Sequence, residues 1–149
     1  MERRKFLGLG LAAVALVPAS LSAVDFRTTK PDTWTAHNVA DGIKALYGDI
    51  KPTPSDDLTV KAPKIASNGG AIPVTVKSSL DVKSVAIFQD SNPESAVAVF
   101  TVAAGGIVEY MTKIKMKASG EITVIAEGND GKFYSASQKL EVALGGCEG

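Results

Sequence analysis

Two hydrophobic periods divide this sequence. From Asp32 to Tyr47 the apolar residues Ala36, Val39, Ala40, Ile43, Leu46 and Tyr47 recur three or four positions apart. That spacing places them on one face of a helix. Asp32 or Thr33 is positioned to cap its start, just after Pro31, and Gly48 to stop it. Gly42 lies inside the helix and costs about 1 kcal/mol relative to alanine. Trp34, at the start, is placed to pin the helix to the rest of the fold. Residues 51–55, with Pro52 and Pro54, form a loop that cannot continue it.

From residue 58 the period becomes two. Ile72, Val74, Val76 and Leu80 alternate with Pro73, Thr75 and Lys77. Val108, Tyr110, Thr112, Ile114 and Met116 alternate with Ile107, Glu109, Met111, Lys113 and Lys115. Tyr134, Ala136, Leu140 and Val142 alternate with Phe133, Ser135, Lys139 and Glu141. Such alternation marks strands with one buried face. Residues 58–66, 84–89, 96–103 and 121–127 supply the remaining strands. Val85, Ala86, Ile87 and Phe88 are apolar in series, which predicts a strand buried on both sides. Turn residues separate the strands at Asn68-Gly69-Gly70, at residues 90–93, at Gly105-Gly106, at Ser119-Gly120 and at Asn129-Asp130-Gly131. Pro73 within a strand predicts an edge or bulge position. About seven short strands with regular turns predict a mainly β protein, an immunoglobulin-like antiparallel β-sandwich over residues 58–143. The N-terminal α-helix stands before it, in a segment 24–57 of linker, helix and loop, with residues 24–31 as a mobile linker.

The two ends follow neither period. Residues 1–23 run from Arg3, Arg4 and Lys5 through an apolar stretch, Phe6 to Val17, to small residues. The stretch is shorter than the roughly 20 residues of a membrane span. This order is that of a cleaved export signal, of the twin-arginine type that carries folded proteins, with cleavage after Ala19 or Ala23. It predicts a periplasmic protein. At the other end, residues 144–149 hold Gly145, Gly146, Cys147, Glu148 and Gly149. Two glycines and no large apolar anchor predict a flexible C-terminal arm bearing a thiol.

Composition narrows the chemistry. Removing Arg3, Arg4, Lys5 and Glu2 from 16 basic and 16 acidic side chains leaves 13 and 15, a net charge of −2. Nothing there favours a nucleic acid or an anionic membrane. One cysteine excludes an intramolecular disulfide and leaves an intermolecular bond or a reactive thiol. One cysteine and one histidine cannot build a zinc or iron–sulfur site within the chain, so no metal, cofactor or catalytic residue is predicted. His37 has two readings, a solvated helix position or a base for Cys147. Lys113, Lys115 and Lys117 likewise make either a solvated stripe or a dock for an acidic surface. Glu109 and Glu121 read as outward strand or turn residues. A free thiol titrates near pH ~8.5, so about 3% is ionised at neutral pH. Glu148 disfavours the thiolate further. Such a thiol is quiet in solution and needs a partner's pocket to react.

The stretch Lys64-Ile-Ala-Ser-Asn-Gly-Gly-Ala-Ile-Pro-Val-Thr-Val76, with Asn92-Pro93, Thr112-Lys-Ile-Lys-Met116, residues 130–134 and the final Gly-Gly-Cys-Glu-Gly, resembles the SoxY family of sulfur carriers from bacterial thiosulfate oxidation. The resemblance runs from about Trp34 to Gly149. It implies an exported, non-catalytic carrier that holds thiosulfate-derived intermediates covalently on Cys147. Gly145, Gly146, Glu148 and Gly149 would belong to its arm. It implies a heterodimer with a SoxZ-like β-sandwich subunit. It also implies transient docking to a c-type cytochrome complex, a dimanganese hydrolase and, in organisms that have one, a sulfur dehydrogenase. Two positions depart from the family. Glu148 replaces a glycine of Gly-Gly-Cys-Gly-Gly, adding bulk and charge where the arm enters its partners. Lys113 and Lys115 stand where arginines are common, losing bidentate pairing. The rival readings are an adhesion module with an intermolecular disulfide at Cys147 and a thiol-dependent enzyme using His37.

Overall fold

The computed structural model describes residues 24–144. Its elements are α1 (Phe26–Thr29), a 3-10 turn (Pro31–Trp34), α2 (Val39–Tyr47), β1 (Thr53–Pro54), β2 (Leu58–Lys61), β3 (Ile65–Ala66), β4 (Ile72–Ser78), β5 (Val82–Gln89), β6 (Ala96–Thr101), β7 (Val108–Ile114), β8 (Gly120–Gly128) and β9 (Phe133–Val142). The protein is mainly β, as the two-residue period predicts, with seven strands of four or more residues and two short ones. One sheet has the order β1-β9-β8-β5-β6, with β3 also on β9, and the other has the order β2-β4-β7. The inward side chains of both sheets form the main core, with Ile72, Val74 and Val76 of β4 packed with Val85 and Ile87 of β5 and Ile122 and Val124 of β8. Among the described residues, no helix is long and apolar enough to cross a membrane.

A third layer explains the apolar run of β5. Val85 and Ile87 face the sandwich, while Ala86 and Phe88 face Leu46 of α2 together with Ile125 of β8. All four β5 residues are buried. The single helix expected between residues 32 and 57 is divided. Its cap is Asn38, not Asp32 or Thr33. Asn38 is extended (φ −141°, ψ 160°) and its Oδ1 accepts from Asp41 N at 2.8 Å. The chain around it is held out of the helix by bonds from outside. Ser95 N donates to Ala36 O at 2.9 Å, and Ser95 Oγ to Asn38 O at 2.9 Å. Gly48 closes α2 with φ 83°, a left-handed backbone that glycine adopts without strain. Residues 24–31 are not linker throughout, because α1 is bound to the 3-10 turn. Trp34 Nε1 donates to Phe26 O at 3.1 Å, and the Arg27 guanidinium lies 4.5 Å over the Trp34 ring.

The expected strand 58–66 is also divided. β2 pairs with β4, whereas β3 pairs with β9 in the other sheet. Pro63, between them, has no N–H for a ladder. Nor is the pairing purely antiparallel, since β1 and β3 both run parallel to β9. Pro73 lies on β4 outside the stretch Thr75–Ser78 that β2 pairs, so the strand is locally an edge there.

The helix layer carries one titrating group with a consequence for stability. Tyr47 Oη lies 2.8 Å from Ser84 Oγ, which donates to Glu127 Oε2 at 3.0 Å. Ser84 spends its proton on Glu127, so Tyr47 donates to Ser84. Burial, with Glu127 nearby, pushes the phenol up to about 12. A raised tyrosine pKa means that the folded state holds its proton more tightly than the unfolded chain does. That contribution is complete below the unfolded value near 10 and is lost as pH rises toward 12. The expected loss is about 2–3 kcal/mol. Urea midpoints at pH 8 and pH 11.5 should fall further apart for the parent than for Tyr47→Phe. Equal falls would show that Tyr47 does not carry the effect.

Candidate functional site

The chain approaches Cys147 along β9, which ends at Val142 as the alternation predicts. Beyond it, three hydrogen bonds tie down the last described residues. Val142 N donates to Ser119 Oγ at 2.8 Å, Ala143 N to Ala66 O at 2.9 Å, and Gly69 N to Leu144 O at 2.8 Å. Gly69 O in turn accepts from Met116 N at 2.9 Å. The Asn68-Gly69-Gly70 turn is therefore also a clamp. Asn68 Oδ1 shapes it by accepting from Gly70 N at 2.8 Å. The clamp holds both the end of β9 and the segment after β7. Leu144 itself is exposed, and Cys147 is three residues further on. Three extended residues span about 10 Å, which bounds the distance of the thiol's Cα from Leu144.

Beside this root lies an open cleft of about 940 Å³. Ser119 and Glu141 belong to both. Lys61, Lys64 and Lys139 face Asp90, Glu121 and Glu141 around it. Gln138 bridges its floor, accepting from Ala62 N at 3.0 Å and donating to Ala62 O at 2.6 Å. Mixed charges of equal number give the cleft no net preference for an anion. Among the described residues, no group of three histidine, cysteine, aspartate or glutamate side chains is placed to hold a metal ion.

The other candidate residues are dispersed. His37 is exposed, with Nδ1 2.9 Å from Pro93 O, but it lies ahead of α2 and not on the helix face expected for it. Lys113, Lys115 and Lys117 are exposed along β7 and its continuation. Glu109 is exposed and paired with Lys77 at 2.6 Å. Glu121 is half-buried at the cleft, and its N donates to Asp90 Oδ1 at 2.8 Å. Arg3 and Arg4 of the expected signal, and Gly145, Gly146, Cys147, Glu148 and Gly149 of the expected arm, lie outside the described residues.

Two motifs turn out to be braces. Asn92 joins the β5–β6 loop to the segment after β7, giving Nδ2 to Lys115 O at 2.7 Å and accepting from Lys117 N at 2.9 Å. Gln89 holds that loop from beneath. Its Oε1 accepts from Ser91 N and Asn92 N, and its Nε2 donates to Glu94 O at 2.7 Å. At the β8–β9 hairpin, Tyr134 Oη donates to Asp130 Oδ2 at 2.7 Å. That bond, with the Lys132 N–H, holds the Asp130 carboxyl below its ordinary range. Periodicity could not single out Ser119, Gln89 or Asn92 as anchors, because each acts on a segment more than twenty residues away or through a loop.

The family model for the sulfur oxidation protein SoxY matches residues 43–147, a span that reaches Cys147. Among solved structures, the sulfur carrier protein SoxY from Chlorobium limicola f thiosulfatophilum is 30% identical, with 78% of this chain and 95% of that one covered and a TM-score of 0.64. A variant of the superoxide reductase (neelaredoxin) from Ignicoccus hospitalis is 16% identical over 62% of this chain and 82% of that one, with a TM-score of 0.52. A putative superoxide reductase from Thermotoga maritima is 19% identical over 62% and 93%, also at 0.52. The last two share the fold alone. No curated protein matches the chain.

Proposed function

This chain belongs to the SoxY family of sulfur oxidation proteins, and from that premise we propose that it is a non-catalytic carrier whose Cys147 holds thiosulfate-derived intermediates covalently for partner enzymes. One observation carries the reading. The fold fixes the chain as far as Leu144, and the only thiol in the sequence follows three residues later, inside the family match. A folded body described as far as Leu144, with the sulfur nucleophile three residues on, suits delivery. The described surface around the root offers no constellation that would act on the sulfur itself.

Loading joins the Cys147 sulfur to the outer sulfur of thiosulfate. The thiol proton and two electrons leave, and the electrons pass to a c-type cytochrome complex. The product is Cys–S–S–SO3⁻. Hydrolysis by a dimanganese enzyme then adds water across the S–SO3⁻ bond, releasing hydrogen sulfate and leaving Cys–S–SH. A sulfur dehydrogenase, where present, oxidises the remaining sulfur. The carrier works as a heterodimer with a second β-sandwich subunit of the SoxZ kind, in the periplasm, after twin-arginine export directed by Arg3 and Arg4. Gly145, Gly146, Glu148 and Gly149 complete the delivered segment, and Glu148 tunes which channels admit it.

The test is the intact mass of mature protein from cells grown with and without thiosulfate. The expected result is a set of thiosulfonate and polysulfane additions, mapped to the peptide that holds Cys147 and absent from Cys147→Ser. An unmodified thiol under both conditions, with the partner enzymes present, overturns the proposal. A covalent dimer indifferent to thiosulfate would favour the adhesion reading instead.

A further inference from the structure

The outer face of the β2-β4-β7 sheet gathers charge of one sign. Side chains of a strand alternate between its two faces. Val60, Val74, Val76, Val108 and Ile114 take the inner one. The outer one is left to Thr59 and Lys61 of β2, Pro73, Thr75 and Lys77 of β4, and Glu109, Met111 and Lys113 of β7. The registers set Lys61 and Met111 on either side of Thr75, and Lys77 beside Glu109. The alternation runs on past β7, with Met116 buried and Lys115 and Lys117 exposed. Five lysines and one glutamate give this face a charge of +4. Residues 24–149 total −2, so the rest of them carries −6.

Lys77 pairs with Glu109 at 2.6 Å, and among the described residues the other four lysines form no ion pair. Lys113, Lys115 and Lys117 recur about 7 Å apart along the chain. That is within a Debye length of about 8 Å at physiological ionic strength, so they repel one another. Protection of the β7 edge needs only charge of either sign. It accounts neither for Lys61, two strands away, nor for the single sign. The face also has relief. A hollow of about 400 Å³ lies among Thr59, Lys61, Thr75 and Lys77, between two ammonium groups. Met111, 69% exposed, stands beside it in register with Thr75. An apolar centre with a charged rim is the make-up of a small protein interface. No arginine and no aromatic ring shares the face, which argues against a nucleic acid, whose bases stack on aromatic side chains. Three of the lysines crowd the end nearest the thiol. Met116 N donates to Gly69 O at 2.9 Å, and Gly69 N to Leu144 O at 2.8 Å.

We propose that this face docks an acidic surface on the enzyme that loads Cys147. The inference rests on the carrier reading and adds the place where that enzyme binds. Loading is the step at which the body must be recognised. Before it, the delivered segment offers only a neutral thiol beside Glu148. Thiosulfate is a dianion and needs a cationic site in the enzyme, and that site repels the lysines. The carboxylates that answer them therefore lie outside the site, on the surface that meets the sheet. Two opposite patches side by side fix the orientation in which the thiol reaches thiosulfate. Three strands about 5 Å apart, over the roughly 26 Å from residue 109 to residue 117, make a contact at the small end for protein pairs. Its strength comes from charge steering, which salt weakens. That suits an enzyme that must leave after each turnover, whereas a permanently held subunit buries a more apolar face.

The test is loading of the mature heterodimer by the purified c-type cytochrome complex with thiosulfate, followed by haem reduction and intact mass across a salt series. For the parent, kcat/KM should fall roughly tenfold from low to high salt. The double variant K113E/K115E is expected to raise the KM for the carrier about tenfold at low salt, with kcat unchanged, and to lose the salt dependence. K113R/K115R keeps the charge and should match the parent. K51E, in the loop between α2 and β1, should match it too. Both side chains of the double variant are exposed, and Asn92 grips only the backbone at residues 115 and 117, so urea midpoints should equal the parent's. Should that variant unfold, K61E/K117E tests the same face from two other corners. Equal kinetics for the parent and the reversed variants, or a loss that K51E reproduces, overturns the inference and leaves the carrier reading standing. A reversed variant that no longer binds the second sandwich subunit gives the face to that subunit and equally overturns it. A parent that the complex never loads, with thiosulfate and both subunits present, overturns both.

Discussion

Cells whose only copy of this chain carries Cys147→Ser are expected to make no more sulfate from thiosulfate than a deletion strain, while the variant accumulates folded. The chemistry leaves no partial outcome. A serine Oγ has no sulfur to join to thiosulfate, and no other thiol in the sequence can replace it. The expected indifference of the fold follows from where the anchors lie. Ser119 Oγ, Ala66 O and Gly69 N hold Val142, Ala143 and Leu144, and each bond is complete before Cys147 is reached. None of those three bonds involves Cys147, so the substitution is expected to shift stability by no more than about 0.5 kcal/mol. The measurement is paired: sulfate released by washed cells supplied with thiosulfate, and the urea midpoint of the purified variant. Sulfate production at the parental rate would remove Cys147 from the pathway. A large drop in midpoint would instead make the cysteine a structural residue and leave its chemistry open.

Glu148 bears on the same segment in a different way. In the proposed carrier, a carboxylate beside the thiol and a side chain bulkier than glycine would both act on entry into a partner's channel. They would leave the S–S bond proposed to form on Cys147 unchanged. The carrier chemistry and the identity of the processing enzymes are thus separable, and the serine variant addresses only the first.

Legibility in the sequence followed the range of the forces involved. The run Val85–Phe88 announced a strand covered on both faces because burial on two sides removes the polar alternation, and the structure supplies the second cover as α2. The end of β9 at Val142 was equally legible, since alternation simply stops there. The division of the expected helix was not. Ala36 to Asn38 is kept out of the helix by hydrogen bonds to Ser95, in a loop more than fifty residues away, and a helical period cannot register those bonds. The split of strand 58–66 had a local sign in Pro63, but the transfer of β3 to the other sheet depends on a parallel partner that no local pattern names. The root of the candidate site was half legible. Asn68-Gly69-Gly70 read as a turn, and it is one. Its second role, holding Leu144 and Met116 together, appears only when three distant segments meet. Cys147 stood out by being unique and by the residues around it, both properties of the sequence itself.

Truncating Phe88 to alanine is expected to cost about 3–5 kcal/mol, from a total that for a domain of this kind is about 5–15 kcal/mol. Phe88 is fully buried on the helix side of β5, against Leu46 and Ile125. The cost should fall in the upper part of that range because the surroundings have little room to relax. A Cβ placed on Gly42 would stand only 3.1 Å from the Phe88 ring and 2.7 Å from Ser95 Oγ, so helix and ring already meet as closely as glycine permits. Nine residues are too few for α2 to persist without tertiary packing. Losing the ring therefore also loosens Ser95, whose N and Oγ hold the chain before α2, at the end of the loop that Gln89 supports and from which Asn92 reaches Lys115 and Lys117. A urea titration should show a lower midpoint with an unchanged slope, the sign of lost stability in a cooperative unit. A cost below about 1 kcal/mol would mean that the helix layer is not integral to the sandwich. A lower slope with a separate early transition would mean that α2 and its loop unfold before the two sheets part. Either result would detach the helix from the sandwich, whereas the expected one makes helix, loop and sandwich a single cooperative unit.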